Sequence, residues 1–233
     1  TQLFELGTTL YYGDRVFKYV QADGAISKGQ LVASSAYLST TANKKIANLD
    51  AGTLAAIDFT NGSSAVAKAF SHAAGSRAIA FGNLGVDIAR DDFAEGYILI
   101  NDEGGEGQLL KIRTHEPCDI SGASSRTSVV IETYDPLTTT IVKNASEATL
   151  IKHPCKDVVV APHSVNAPVV GATVMDLQDN FFGWVVCKGP AAVLTKGTIV
   201  LGQNVARSND TTAGSVEAVG DDLEQIVGVA RAV

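Results

Sequence analysis

A motif that the chain spells twice constrains its fold more than any other feature. Phe17-Lys18-Tyr19-Val20 is followed by Ile26-Ser27-Lys28-Gly29-Gln30-Leu31-Val32. Phe182-Gly183-Trp184-Val185 is followed by Leu194-Thr195-Lys196-Gly197-Thr198-Ile199-Val200. Aromatic residues two apart share one face of a strand. The Lys-Gly pair marks a tight turn, because Gly accepts a positive φ that other residues resist. The aliphatic pair after it suits a returning strand. The motif therefore predicts two β-hairpins, 16–33 and 181–201, in two related β-modules. The alternative is a chance likeness between two ordinary hairpins. Either way the scaffold is β-rich, and the motif alone says nothing about chemistry.

The 233 residues suffice for one large domain or two smaller ones. A compact chain of that length buries roughly 70% of its unfolded surface and needs no covalent staples. Only 18% of the residues are charged, while Gly, Ala, Val, Thr and Ser abound, which suits short strands and tight turns. A net charge of −7 with scattered Lys and Arg argues against a nucleic-acid surface. Cys118, Cys155 and Cys187 are odd in number and widely spaced, so they read as buried thiols rather than a disulfide framework or zinc site. No apolar run is long enough for a membrane helix, and the sequence predicts a soluble protein made in a cytosol.

Residues 1–14 carry Leu3, Phe4, Leu6, Leu10, Tyr11 and Tyr12, broken by Gly7 and Gly13. Such a segment reads as a core strand or as an extended arm laid on a partner; contiguous apolar surface usually marks a contact site, so the arm, binding a partner or a neighbouring copy, is the reading taken. The body, 15–233, reads as one domain or as two interleaved modules. Within it, 44–58 suggests strand, turn, strand, 60–62 a turn, and 63–74 a helix through a loose Ala-Val-Phe stripe. Strands are predicted at 77–81, 86–89, 128–132, 138–142, 148–151, 158–160, 214–219 and 226–230, with a further strand after 168–171 and a loop at 121–128. The runs 96–101 and 108–113 bracket the Gly-rich acidic stretch Asp102-Glu103-Gly104-Gly105-Glu106-Gly107 and predict a hairpin. The fold class is mainly β: many short antiparallel strands in a sandwich or barrel-like modules, with little helix.

The acidic stretch offers oxygen ligands for Ca²⁺, yet its spacing matches neither an EF-hand nor a calcium β-roll, so a solvated hairpin tip is the simpler reading. His72, His115, His153 and His163 form no HxxxH or HExxH pattern. Gly122-Ala123-Ser124-Ser125-Arg126 lacks the second glycine of a nucleophile elbow. Asp91-Asp92 and Asp221-Asp222 are adjacent, and adjacent strand residues point to opposite faces, which does not suit a glycosidase pair. The sequence predicts no enzyme, no catalytic residues, no metal and no cofactor.

One resemblance covers roughly residues 13 to 205. Arg15-Val16-Phe17-Lys18-Tyr19-Val20-Gln21-Ala22 with Lys28-Gly29 resembles the "RxFxYxxA" opening of a group of tailed-bacteriophage head proteins. Ala94 to Asp102 with Gly105-Glu106-Gly107-Gln108, Asp135-Pro136-Leu137, Gly183-Trp184 and Gly189-Pro190-Ala191-Ala192-Val193-Leu194 are similar to later motifs of that group. The resemblance implies a capsid decoration, or cement, protein that binds the outside of an icosahedral head. Its partner would be the major capsid protein, its state a homotrimer, and its location the virion exterior, with no nucleic acid or membrane bound. The alternative is a tail or fibre-associated β-module that binds a host glycan. Both copies of the duplicated motif fall inside the resemblance, so the two hairpins are expected to be neighbours in one β assembly, with Phe17, Tyr19, Phe182 and Trp184 as core anchors.

Overall fold

The computed structural model describes residues 1–35, 57–58, 72–82, 88–102, 104–117, 128–142, 146–163, 167–209, 212–220 and 224–232. The helix expected at 63–74 (all but its last three residues), the readings of 44–56 and 60–62, and most of the 121–128 loop fall outside those residues. So does Cys118. The chain forms two compact β units, one nested in the other's sequence: Thr1–Leu38 with Pro154–Val233, and Ser39–His153 between them.

The first unit holds a six-stranded antiparallel sheet in the order β1-β2-β12-β11-β3-β10. Its strands are β1 (Thr9–Tyr12), β2 (Arg15–Gln21), β3 (Leu31–Ala33), β10 (Val159–Val160), β11 (Val169–Thr173) and β12 (Phe182–Lys188). A smaller sheet, β14-β13-β15, follows from β13 (Asn204–Arg207), β14 (Val216–Ala218) and β15 (Ile226–Val229). β1 and β2 form a two-residue hairpin over Gly13-Asp14, with Tyr12 opposite Arg15. Gly13 has φ +60°, as the first central residue of a type II′ turn requires.

The two copies of the motif are neighbours in one sheet, as expected, with the Tyr19 and Trp184 rings 5.1 Å apart, but the predicted hairpins 16–33 and 181–201 are corrected. β2 never pairs with β3; it pairs with β12, the other copy. The register sets Tyr19 opposite Trp184, Lys18 opposite Val185 and Val20 opposite Gly183. Exchanging the two copies maps this pairing onto itself, so a local twofold axis runs through the Tyr19–Trp184 pair. The physical reason for the missing hairpins is occupancy. Both edges of β2 are filled, by β1 and β12, and both edges of β12 by β2 and β11, so neither motif has room for its own returning strand. Each Lys-Gly turn forms but leads elsewhere. Ile26 exchanges backbone bonds of 2.8 Å with Leu177, and the Leu194 N–H donates to the Gly29 carbonyl at 2.7 Å.

The second unit is one six-stranded antiparallel sheet, β4-β9-β6-β7-β8-β5. It contains β4 (Ile57–Asp58), β5 (Ala78–Gly82), β6 (Tyr97–Asp102), β7 (Leu109–His115), β8 (Ser128–Thr133) and β9 (Glu147–Ile151). Its edge strands β4 and β5 approach within 8 Å, so the sheet curls towards a barrel. Alternate residues point inward: Ile79, Ile98, Ile100, Leu110, Ile112, Ile131 and Leu150 share one buried core. Each such side chain contributes about 1.5–3 kcal/mol by leaving water. The predicted 96–113 hairpin is present as β6–β7. The strand expected at 138–142 is not: only Ile141 joins a ladder, through a bridge to His72.

Candidate partner-binding surface

The six apolar residues expected in a free arm divide into three groups. Leu6 is corrected outright: it is 6% exposed and belongs to the unit's core with Val20, Ile26 and Val185. Phe4 is half-covered, its ring 5.4 Å from Tyr19 and 5.5 Å from Trp184. The Leu3 N–H reaches the Tyr19 hydroxyl at 3.2 Å, and the Gly7 N–H donates to the Tyr19 carbonyl at 2.8 Å. The segment is therefore folded onto β2 rather than extended, because the aromatic face of the duplicated motif needs a cover. Leu3, Leu10, Tyr11 and Tyr12 remain outside that packing, with Leu3 77% and Tyr11 75% exposed.

Leu10, Tyr11 and Tyr12 sit on β1, which ends the six-stranded sheet. Side chains alternate along a strand, so their joint exposure means that neither face of β1 is covered. Its outer edge has no strand against it among the described residues. Edge strands are commonly defended by charge, proline or a bulge. Thr9-Leu10-Tyr11-Tyr12 has no charge and no proline, and its register with β2 runs without a break. Such an edge can receive a further strand, with backbone bonds giving affinity and flanking aromatics giving specificity.

The polar groups elsewhere are arranged for structure. In the second unit, Asp91 Oδ1 accepts bonds from the Thr114 hydroxyl at 2.6 Å and the His115 N–H at 2.9 Å. His115 Nε2 accepts the Phe93 N–H at 2.9 Å while Nδ1 lies 2.8 Å from the Glu116 carbonyl. That pattern fixes a neutral ring protonated on Nδ1, with both nitrogens committed to backbone. Asp92 Oδ1 pairs with Lys152 Nζ at 2.9 Å, the lysine side chain being 1% exposed. Asp91 and Asp92 thus clamp the 89–96 loop rather than converge on a substrate.

His72 Nε2 accepts the Ala80 N–H at 3.0 Å, and burial lowers the ring's pKa. At the tip of β6–β7, Ser146 Oγ donates to the Gly104 carbonyl at 2.6 Å and ties the Gly-rich loop down. Among the described residues, no three His, Cys, Asp or Glu side chains come together as a metal site. Burial, partly opposed by the nearby Lys18, pushes the Cys155 thiol up to about 11. Compared with protein-family models, curated proteins and solved structures, the chain gives no match.

A repeated element escaped the sequence reading although its signal was present. Gly-Gln occurs at 29–30, 107–108 and 202–203, each time directly before a strand. The three glycines have φ +77°, +83° and +84°. Gln30 Oε1 accepts the Ser27 N–H at 2.8 Å, and Gln203 Oε1 accepts the Val200 N–H at 3.1 Å. Gln108 instead accepts from Thr138 N at 2.7 Å. The glutamine side chain closes or anchors a turn that launches β3, β7 or β13.

Proposed function

We propose that the chain is a non-enzymatic structural protein of a tailed-phage virion, seated on the outer face of the capsid and bridging neighbouring shell subunits. The observation that carries this reading is the bare apolar edge of β1, with Leu10, Tyr11 and Tyr12 uncovered beside Leu3. The head-protein motifs at 15–22, 94–112 and 183–194 support the choice of partner. A clamp between shell subunits needs a rigid β scaffold and an apolar contact at its rim, and both are compatible with this chain. The major capsid protein supplies the facing strand or groove, and a homotrimer repeats the contact around a local threefold position.

The test is composition of purified particles by quantitative mass spectrometry, with electron microscopy of the same particles. A copy number close to that of the major capsid protein supports the reading. A few copies per particle assigns the chain to the tail, and absence from particles removes the reading. Leu10→Thr with Tyr11→Ser, both on exposed side chains, should lower occupancy at least tenfold while the protein stays folded. Deleting 1–12 is a poorer variant, because it also removes core residue Leu6 and bares β2.

A further inference from the structure

β1 is bracketed by Gly7 at φ +75° and Gly13 at φ +60°, so a strand added at its outer edge has only Thr9–Tyr12 to register on. The pairing with β2 decides which main-chain groups face that edge. Gly13-Asp14 is a two-residue loop, so Tyr12 and Arg15 form a hydrogen-bonded pair, and such pairs recur at every second position. The Tyr19 N–H, donating to the Thr8 carbonyl at 3.0 Å, has the same phase. Thr8, Leu10 and Tyr12 therefore turn their N–H and C=O groups towards β2, while Thr9 and Tyr11 turn theirs outward. Among the described residues, no other backbone group meets those of Thr9 and Tyr11.

We propose that a second copy of the chain covers this edge before assembly, β1 against β1, antiparallel about a twofold axis at Leu10. The proposal rests on reading β1 as the partner edge, and adds what occupies that edge while no shell is present. In this register Thr9 of each copy lies opposite Tyr11 of the other. The outward-facing residues thus meet in two hydrogen-bonded pairs, with Leu10 opposite Leu10 between them. Moving the axis to Thr9 would set Tyr11 against Gly7, whose N–H is already given to the Tyr19 carbonyl at 2.8 Å. Moving it to Tyr11 would set Thr9 against Gly13, inside the β1–β2 turn. The strand is complementary to itself in one register.

Side chains agree with that register. Thr9-Leu10-Tyr11-Tyr12 carries no charge, so the twofold sets no like charges opposite each other. Tyr11 faces the β-branched Thr9 of the other copy, a favourable cross-strand pair. Leu10, Tyr11 and Tyr12 are all exposed, so neither face of β1 obstructs the approach. A twofold contact is closed: it covers both edges at once and leaves none to recruit a third copy. It supplies the protection that charge or proline gives other edge strands. On the shell, the capsid segment replaces one β1 by strand exchange.

Sedimentation velocity of the full chain over a concentration series tests the pairing, and wild type should pass from monomer to dimer. Thr9→Pro deletes an outward N–H from each copy while keeping every bond to β2, and should raise the dimer dissociation constant at least about tenfold. Thr9→Val keeps that N–H and should match wild type. Cysteine substitution reads the register, in a Cys187→Ser background that removes the exposed thiol. Leu10→Cys should give a disulfide-linked dimer on mild oxidation, because position 10 meets its own copy. Tyr12→Cys, on the same face but opposite Thr8 of the other copy, should not. A monomer at every concentration, a trimer in solution, or equal cross-linking of the two cysteine variants overturns the proposal. Those results leave the capsid reading standing, which fails instead if purified particles lack the chain. Should Thr9→Pro not fold, the two cysteine variants decide by themselves.

Discussion

Each of the two nested units joins sequence-consecutive strands twice in its six-stranded sheet, but the two units place and reward their distant pairings differently. In the second unit, β6, β7 and β8 follow one another in sequence and lie side by side in the sheet. Its core is mainly aliphatic and rich in isoleucine, with Phe93 among it. In the first unit, β12 is placed against β2 and β11 against β3. Its strongest ring contacts are aromatic, with Tyr19 stacked on Phe182 at 5.7 Å and tilted on Trp184 at 5.1 Å. Local pairing needs only short loops to close, whereas distant pairing needs specific side chains to reward a costly closure. The aromatic motif is spelled twice because each copy is the other's partner.

Excision would break this comparison most severely. Ala33 and Val159 are neighbours in the sheet, so the ends of the insert leave the first unit side by side. Replacing 39–153 with a short Gly-Ser linker should leave a folded first unit, and 39–153 alone should fold as a barrel. Circular dichroism and amide proton dispersion check both pieces. An unfolded remnant would mean that the nesting is obligatory for stability.

Next in size are two substitutions aimed at one unit each. Lys152→Ala leaves Asp92 without its partner and should cost about 3–5 kcal/mol in the second unit. Tyr19→Ala removes the 4% exposed centre of the aromatic pair and should cost a similar amount, about 3–5 kcal/mol, in the first. Calorimetry should show each variant moving a different transition. A common shift in both would show that the units melt as one.

A smaller effect is expected from pH. The folded pKa of His72 lies below the ordinary 6.5, so the stability linked to its neutral ring is complete above that value and declines as pH falls through it. The second unit should therefore melt earlier at pH 5 than at pH 7.5, and His72→Gln should flatten part of that slope. The smallest effect concerns reactivity rather than stability. Exposed Cys187 should be alkylated before Cys155, whose buried thiol stays protonated near neutral pH. Peptide mapping after brief iodoacetamide treatment reads the order.

Particular residues show how far the sequence could be read. The β6–β7 hairpin was legible because a turn-rich stretch lies between two apolar runs that pair directly, Tyr97 with Lys111 and Leu99 with Leu109. The hairpins expected at 16–33 and 181–201 were not, since a local turn signal does not reveal that a strand's edges are already taken. Of the candidate surface, Leu3, Leu10, Tyr11 and Tyr12 kept their exposure, whereas Leu6 was drawn into the core by an environment that only folding assembles.

By itself, then, the sequence determined the β class, the strand-launching turns and the kinship of 17–20 with 182–185. These follow from backbone preferences and side-chain alternation, which act within a few residues. The sequence also led to the expectation that the two copies are neighbours; tertiary structure alone decided that they pair strand to strand across a local twofold instead of forming two hairpins, that the N-terminal segment lies over them, and that β1 ends a sheet with its edge bare. Those outcomes depend on which distant strand wins each open edge, a competition between packing energy and loop closure that no short stretch of sequence contains.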